Sequence, residues 1–260
     1  MSGAIGISSP LKPGLTLANV ARSLDRAFSM SNLRAVALSI NSPGGAAAQS
    51  HLIHRRVRAL ADEKKVPVIA FVEDVAASGG YMIACAADEI IADESSIVGS
   101  IGVVGGSFGF DKLIEKIGVE RRLYTSGENK AMLDPFLPEK PEDVERLKAL
   151  QREIHESFIA LVKARRGAKL DSRETALFSG AYWTGQRGRE LGLVDAVGDL
   201  RTVLRERYGE KVRTPLMAER GFSLFGRRTP GVGPMWGEVN WTDDLVATLE
   251  ARALWSRYGL

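Results

Sequence analysis

Two periods of apolar spacing run along most of the chain. "LRAVALSI" (33–40) and "VPVIAFVED" (66–74) are short runs rich in Val, Ile and Phe, the pattern of buried strands. Between them, residues 46–64 carry a long amphipathic helical pattern, and "LTLANVARSLDRAFSM" (15–30) also has helical spacing. "DEIIAD" (88–93) predicts a further short strand. "DKLIEKIG" (111–118) predicts a short helix closed by Gly118, and "VERRLYTSG" (119–127) a strand after it. Residues 141–166 predict a long charged helix with an apolar stripe of Val144, Leu147, Leu150, Ile154, Phe158 and Leu161. "TGQRGRELGLVDAVGDLRTVLRERYG" (184–209) reads as helix, strand, helix. Strands alternating with helices imply an α/β fold, a mainly parallel sheet with helices packed on it.

The texture changes after residue 217. Residues 218–241 are rich in Gly, Pro and Arg and read as a linker. Residues 242–260 then predict a terminal amphipathic helix, with Thr242 and Asp243 as candidate N-caps. Its Leu245, Leu249, Leu254 and Trp255 have three candidate docking sites: the body of the chain, another subunit, or a membrane surface. On this reading residues 1–217 form one domain with a helical extension.

Composition narrows the function more than the fold. The 260 residues include 35 Lys and Arg against 32 Asp and Glu, a net +3 that is too weak to argue for nucleic acid. Arg55-Arg56 and Arg165-Arg166 are expected on solvated faces. One cysteine, Cys85, rules out a disulfide framework and is expected to be buried and inert. Of the three histidines, His51 and His54 share a helix face, but no second ligand pair follows, so a solvated pair is expected and no metal. There is no run of about 18 apolar residues, the length a membrane span needs. The opening residues lack the pattern of a signal peptide. The expectation is a cytoplasmic chain, at most peripheral at an inner membrane through its terminal helix.

Three stretches carry candidate chemistry. Ser78, in "VEDVAASGGYMIACAAD" (72–88), follows a strand, opens a helix and is flanked by small residues. It is either a helix N-cap or turn serine, or a nucleophile whose surroundings let a substrate backbone approach. "NSPGG" (41–45) ends the preceding strand, so in a parallel sheet Gly44 and Gly45 would lie on the same side as Ser78. It is either a plain turn or a source of unobstructed N–H groups for an oxyanion. Lys130, in "TSGENKAMLDPF", is either an exposed loop lysine or a semi-buried amine. A free lysine, with a pKa of about 10.4, is protonated at neutral pH, and desolvation is what makes an amine a base there. No histidine lies beside a glycine-rich strand end, and G-x-S-x-G, P-loop and dinucleotide fingerprints are missing.

Taken in order, "LSINSPGG", "VEDVAASGGYMIACAADEIIAD", "SSIVGSIGVV", "SGENKAMLDPF" and "LFSGAYWTGQRGRELGLVDAVGD" resemble the signal peptide peptidase A family (peptidase family S49), most nearly its short, single-domain SohB-like members. The similarity covers roughly residues 1–215. It implies a Clp protease/crotonase-like spiral of ββα units. It implies Ser78 as nucleophile, Lys130 as general base and Ser100 as the serine that orients the lysine. Gly45, with the Gly79 N–H, would form the oxyanion hole. Gly44, Ala77, Val103 and Val104, with Ala76 beside them, would line a shallow apolar pocket for peptide substrates. The resemblance further implies a homo-oligomeric ring with active sites shared between protomers, and no cofactor. Glu128, close to Lys130, is expected to point away from it, because a nearby carboxylate would favour the charged amine.

Two other functions fit parts of the pattern. A crotonase-like acyl-CoA enzyme would use the same backbone oxyanion hole without needing a serine and a lysine. A catalytically silent scaffold would bind membrane-protein segments, and the terminal helix is what keeps that reading open.

Overall fold

A ten-residue strand, Val68–Ala77, is the member on which the other strands are laid. The computed structural model describes residues 1–7, 14–217 and 241–260, the side chains of 241–245 excepted. Elements follow in the order α1 (Leu17–Phe28), β1 (Val36–Ser42), α2 (Ala47–Lys64), β2 (Val68–Ala77), α3 (Gly79–Ala84), β3 (Glu89–Ala92) and β4 (Ile97–Gly99). Then come α4 (Asp111–Lys116), α5 (Pro141–Arg166), two 3-10 turns, β5 (Tyr182–Thr184), α6 (Gly185–Glu190), β6 (Ala196–Val197), α7 (Leu200–Tyr208) and α8 (Trp241–Ser256). The linker read at 218–241 lies outside the described residues, apart from Trp241, which opens α8. Thr242 and Asp243 therefore fall inside the first turn of that helix rather than ahead of it.

One flank of β2 pairs in parallel with β1, from Val36↔Val68 to Ser42↔Ala76. The other flank is shared: β3 takes Ile69–Val72 and β4 takes Val75–Ala77, both parallel. The ladder shifts register between Ile40 and Ser42, leaving Glu73 and Asp74 as extra residues that face solvent. Such a bulge bends a strand, and here it marks the hand-over from β3 to β4. Outside β3 lies β6, parallel; outside β4 lies β5, the one antiparallel neighbour among the described strands. The α/β expectation is met.

Alternation along β2 sorts its side chains into two layers. Val68, Ala70 and Val72 join the main core with Ile53 and Val57 of α2 and Tyr81 and Ile83 of α3. Ile69 and Phe71 point the other way and meet Ile91 and Leu204, with Leu200 and Val203 of α7 beside them. The sheet is therefore covered on both faces, which explains why β2 reads as a continuous apolar run.

Several expectations are corrected by packing. Arg166 is buried at 3% exposure, not solvated. Its guanidinium donates to Asp195 Oδ2 at 2.6 Å and to the Gly192 carbonyl. Burial alone would raise the Asp195 carboxyl, but donors from Arg166, Lys169 and the Ile90 N–H hold it below the ordinary range. Arg165 caps the end of the Ser78 helix region through the Cys85 and Ala87 carbonyls. "VERRLYTSG" forms no strand; residues 119–127 are exposed on both faces, and no described strand lies beside them to complete a ladder. Of the six stripe residues read on α5 only Phe158 is buried and Leu150 is exposed; Val162, next to Leu161, is the helix's other buried apolar residue. Cys85 is buried as expected, and burial pushes its thiol up to about 12.

His54 is also buried rather than solvated, and among the described residues neither ring nitrogen has a hydrogen-bond partner of good geometry, the Cys85 backbone contact being too poor to count as one. Burial first, then the charges of Arg165, His51 and Arg58, lower its pKa to about 4. In the unfolded chain the ring protonates near its ordinary 6.5, so between those values the unfolded state holds the extra proton. Stability is complete above the unfolded value and lost as pH falls toward 4, by about 3 kcal/mol at about 1.36 kcal/mol per unit. Chemical denaturation at pH 7 and pH 4.5 is expected to show that slope in the wild type and a much flatter one in His54→Leu. Equal slopes would contradict it.

Candidate active site

Ser78 sits where β2 turns into α3, with φ 53° and ψ −121°. That is the first central position of a type II′ turn, a conformation that normally calls for glycine. A side chain held there costs about 1–3 kcal/mol and persists only where the surroundings enforce it. Here Ser78 N–H donates to the Gly99 carbonyl at 2.8 Å, and its own carbonyl receives the Met82 N–H. Its hydroxyl makes no capping bond to α3. The N-cap reading therefore fails: the serine begins the helix without capping it and holds a half-buried hydroxyl, with no hydrogen-bond partner among the described residues, on a strained turn.

Close backbone contact explains the small residues around it. A Cβ on Gly79 would lie 2.2 Å from Ser50 Oγ of α2, and one on Gly80 would lie 2.5 Å from the Ser42 carbonyl of β1. Glycines there let α3 start directly against two other elements. Gly44, at φ +99°, is packed on the turn itself: its Cβ would meet Ser78 Cβ at 2.8 Å and Gly79 N at 2.9 Å. The parallel register thus brings the "NSPGG" loop onto Ser78.

Gly45 is held from the other side by the chain's first residues. Ile5 N–H donates to the Gly44 carbonyl, and Ala46 N–H donates to the Ile5 carbonyl, both at 2.8 Å. This bridge uses the groups on either side of Gly45 and leaves the Gly45 N–H itself without a partner among the described residues. Gly79 N–H, at the first position of α3, is likewise outside the helix's internal bonding. Two unclaimed N–H groups beside one free hydroxyl can stabilise an oxyanion formed by attack of that hydroxyl.

Ser100 arrives by register. Ala77 pairs with Gly99 across β2 and β4, so the next residues, Ser78 and Ser100, leave the ladder side by side. Ser100 also has a positive φ, 53°, and donates its N–H to the Ala181 carbonyl at 2.7 Å. Its hydroxyl accepts a hydrogen bond from Tyr258. No sequence signal joins those residues, which lie 158 positions apart.

The remaining candidates are placed differently. Ala76 and Ala77 are fully buried in β2, so they form the wall beneath Ser78 and present no side-chain surface to a peptide. Val103 is half-buried and lines a shallow hollow with Gln151 and His155 of α5, and Val104 is exposed. Lys130 is exposed in a turn closed by its N–H to the Gly127 carbonyl, and no hydrogen bond joins it to Ser78 within the single chain. Glu128 makes no ion pair with it. Lys130 belongs to an arm, residues 104–142, in which no residue is buried. Phe108 and Tyr124 there are 79% and 90% exposed. Within the arm, Phe110 packs against Phe136 and Arg121 pairs with Asp134, and at its start Gly105 approaches Gln151 of α5.

No group of His, Cys, Asp and Glu among the described residues has the arrangement of a metal site. No described helix is long and apolar enough to cross a membrane.

The chain is 57% identical over 258 residues to a protein of Brucella abortus named Na(+)/H(+) antiporter NhaA, a match covering 96% of this chain and 35% of that protein. It thus spans about a third of that relative's length. It is 33% identical over 216 residues to the putative protease MJ0651 of Methanocaldococcus jannaschii, covering 80% of this chain and 68% of that one. To the chloroplastic serine protease SPPA of Arabidopsis thaliana it is 39% identical over 168 residues, 64% of this chain and 24% of the other. Among solved structures, a mutant of the 1510-N membrane-bound stomatin-specific protease aligns over 79% of this chain and 81% of that one, at 18% identity and a TM-score of 0.45. The pattern that defines peptidase family S49 matches residues 60–211, more than half of the sequence and inclusive of Ser78, Ser100 and Lys130. The chain belongs to peptidase family S49.

Proposed function

We propose that this chain is a serine endopeptidase that works through Ser78 and Lys130, with the lysine reaching Ser78 from a neighbouring copy in a homo-oligomeric ring. The observation that carries the reading is the Ser78 turn: a strained serine with an uncapped hydroxyl beside the unclaimed Gly45 and Gly79 N–H groups. The exposed, apolar arm that bears Lys130 supports delivery in trans, because so much uncovered apolar surface is characteristic of an interface.

In this mechanism the neutral Lys130 amine takes the proton of Ser78 Oγ, and Oγ attacks the peptide carbonyl. Gly45 and Gly79 N–H hold the oxyanion. The C–N bond breaks, the Lys130 ammonium returns the proton to the leaving amine, and an acyl-enzyme remains. Lys130 then takes a proton from water, which attacks the ester, and the acid leaves as Ser78 recovers its proton. Ser100 orients the amine throughout. No cofactor enters. Gly44, Val103 and Val104 border the substrate path.

Substrates are remnant signal peptides or other unfolded, membrane-derived peptides with small or apolar residues near the cut. Residues 1–217 are the peptidase unit, joined by a linker to α8. The protein works in the cytoplasm, and the exposed Val246 and Leu249 of α8 offer peripheral contact with a membrane.

Assay of the purified chain against fluorogenic unfolded peptides and against acyl-CoA thioesters tests the reading. Peptide cleavage without thioester turnover is expected. Thioester turnover without peptide cleavage would favour the crotonase-like alternative, and neither activity would favour the silent scaffold.

A further inference from the structure

Three segments far apart in sequence meet beside the Ser78 junction. Tyr258, just beyond α8, donates its hydroxyl to Ser100 Oγ at 3.1 Å. Its ring meets Tyr182 edge to face, with centroids 5.1 Å apart and planes at 77°. Tyr182 in turn donates its hydroxyl to the Arg257 carbonyl at 3.2 Å. Each tyrosine therefore holds the other's segment. Tyr182 lies opposite Gly99 in the β4–β5 ladder, so the clamp stands one residue from Ser100. The segment after α8 is itself turned back, by Tyr258 N–H and Leu260 N–H on the Trp255 carbonyl and Gly259 at φ +76°.

We propose that Tyr258 is a positioning residue that fixes the Ser100 hydroxyl in the orientation from which it directs the Lys130 amine. This rests on the role given to Ser100 above. A serine hydroxyl has three staggered wells to choose from. A bond from a phenol that is clamped by its own ring contact selects one of them, and preorganised partners of this kind raise the chemical step without adding substrate contact. Among the described residues, no hydrogen bond joins α8 or the residues after it to Ser78. The tail's contact with the site is therefore made through Ser100.

The test is a double-mutant cycle on the full chain, reading kcat and KM for a fluorogenic peptide in wild type, Tyr258→Phe, Ser100→Ala and the double variant. Phe keeps the ring on Tyr182 and removes only the bond to Ser100. Tyr258→Phe is expected to lower kcat about fivefold, the worth of one ordinary hydrogen bond, with KM unchanged. In the Ser100→Ala background the same change is expected to do nothing. An equal loss in both backgrounds, no loss in the first, or a gain in activity would overturn the proposal, the gain marking the tail as an inhibitor. Full activity of Ser100→Ala alone would instead remove the role of Ser100, and the proposal with it.

Discussion

Ser78→Ala is expected to lower peptide hydrolysis by about 10⁴-fold or more while leaving the fold intact, the size of loss seen when a serine nucleophile is removed from its site. Ser78→Gly should be as inactive and also more stable, by about 1 kcal/mol, because it relieves a non-glycine residue of its type II′ geometry. The pair of outcomes is diagnostic. A serine kept for structure would cost stability when lost, since its hydroxyl would leave a partner unsatisfied. Here the hydroxyl caps nothing, and the backbone bonds from Ser78 to Gly99 and Met82 survive both substitutions. Activity and thermal unfolding of the two variants, read together, check this. A less stable Ser78→Gly would show that the turn prefers its side chain and would weaken the case for strain kept for function.

The second large effect concerns Lys130. Lys130→Ala alone is expected to lose at least about 10³-fold, in line with removal of a general base from a catalytic unit. Mixed with Ser78→Ala in one oligomer, it should recover activity. A site built from one chain's serine and its neighbour's lysine is intact wherever both partners are wild type at the relevant position, about a quarter of sites in a random ring. A site built within one chain gains nothing from mixing, because every chain lacks one member. Co-expressed variants carrying different affinity tags, purified through both tags, give the measurement. Mixed oligomers without activity would place the dyad in a single chain and require the arm of residues 104–142 to fold back onto Ser78.

Much of this was legible in the sequence, and the misses have physical causes. Strand and helix periods gave the α/β class, and membership of S49 carries the Clp protease/crotonase-like class with it. The strand read at 66–74 ended early because Glu73 and Asp74 look like a polar stop. They are a bulge, and β2 continues through Val75, Ala76 and Ala77 to deliver Ser78. "VERRLYTSG" holds strand-forming Val119 and Tyr124, but such residues make a strand only where a neighbour completes the ladder. Arg166 and His54 look solvated in the sequence because a charge run and a helical pair of histidines usually are. Arg166's partner, Asp195, is distant in sequence, and the apolar packing around His54 depends on tertiary contact. Small residues around Ser78 pointed to close approach correctly, and Gly44, Gly79 and Gly80 show against what. Tyr258 carried no signal, since one hydroxyl contact across the fold leaves no period in a sequence.

The most direct test of Ser78 as the nucleophile is covalent trapping. The wild-type oligomer is treated with a fluorophosphonate, digested and read by mass spectrometry. The adduct is expected on the peptide carrying Ser78, at a rate that falls sharply in Lys130→Ala. An adduct on any other serine, or labelling of Ser78 at the same rate without Lys130, would contradict the account.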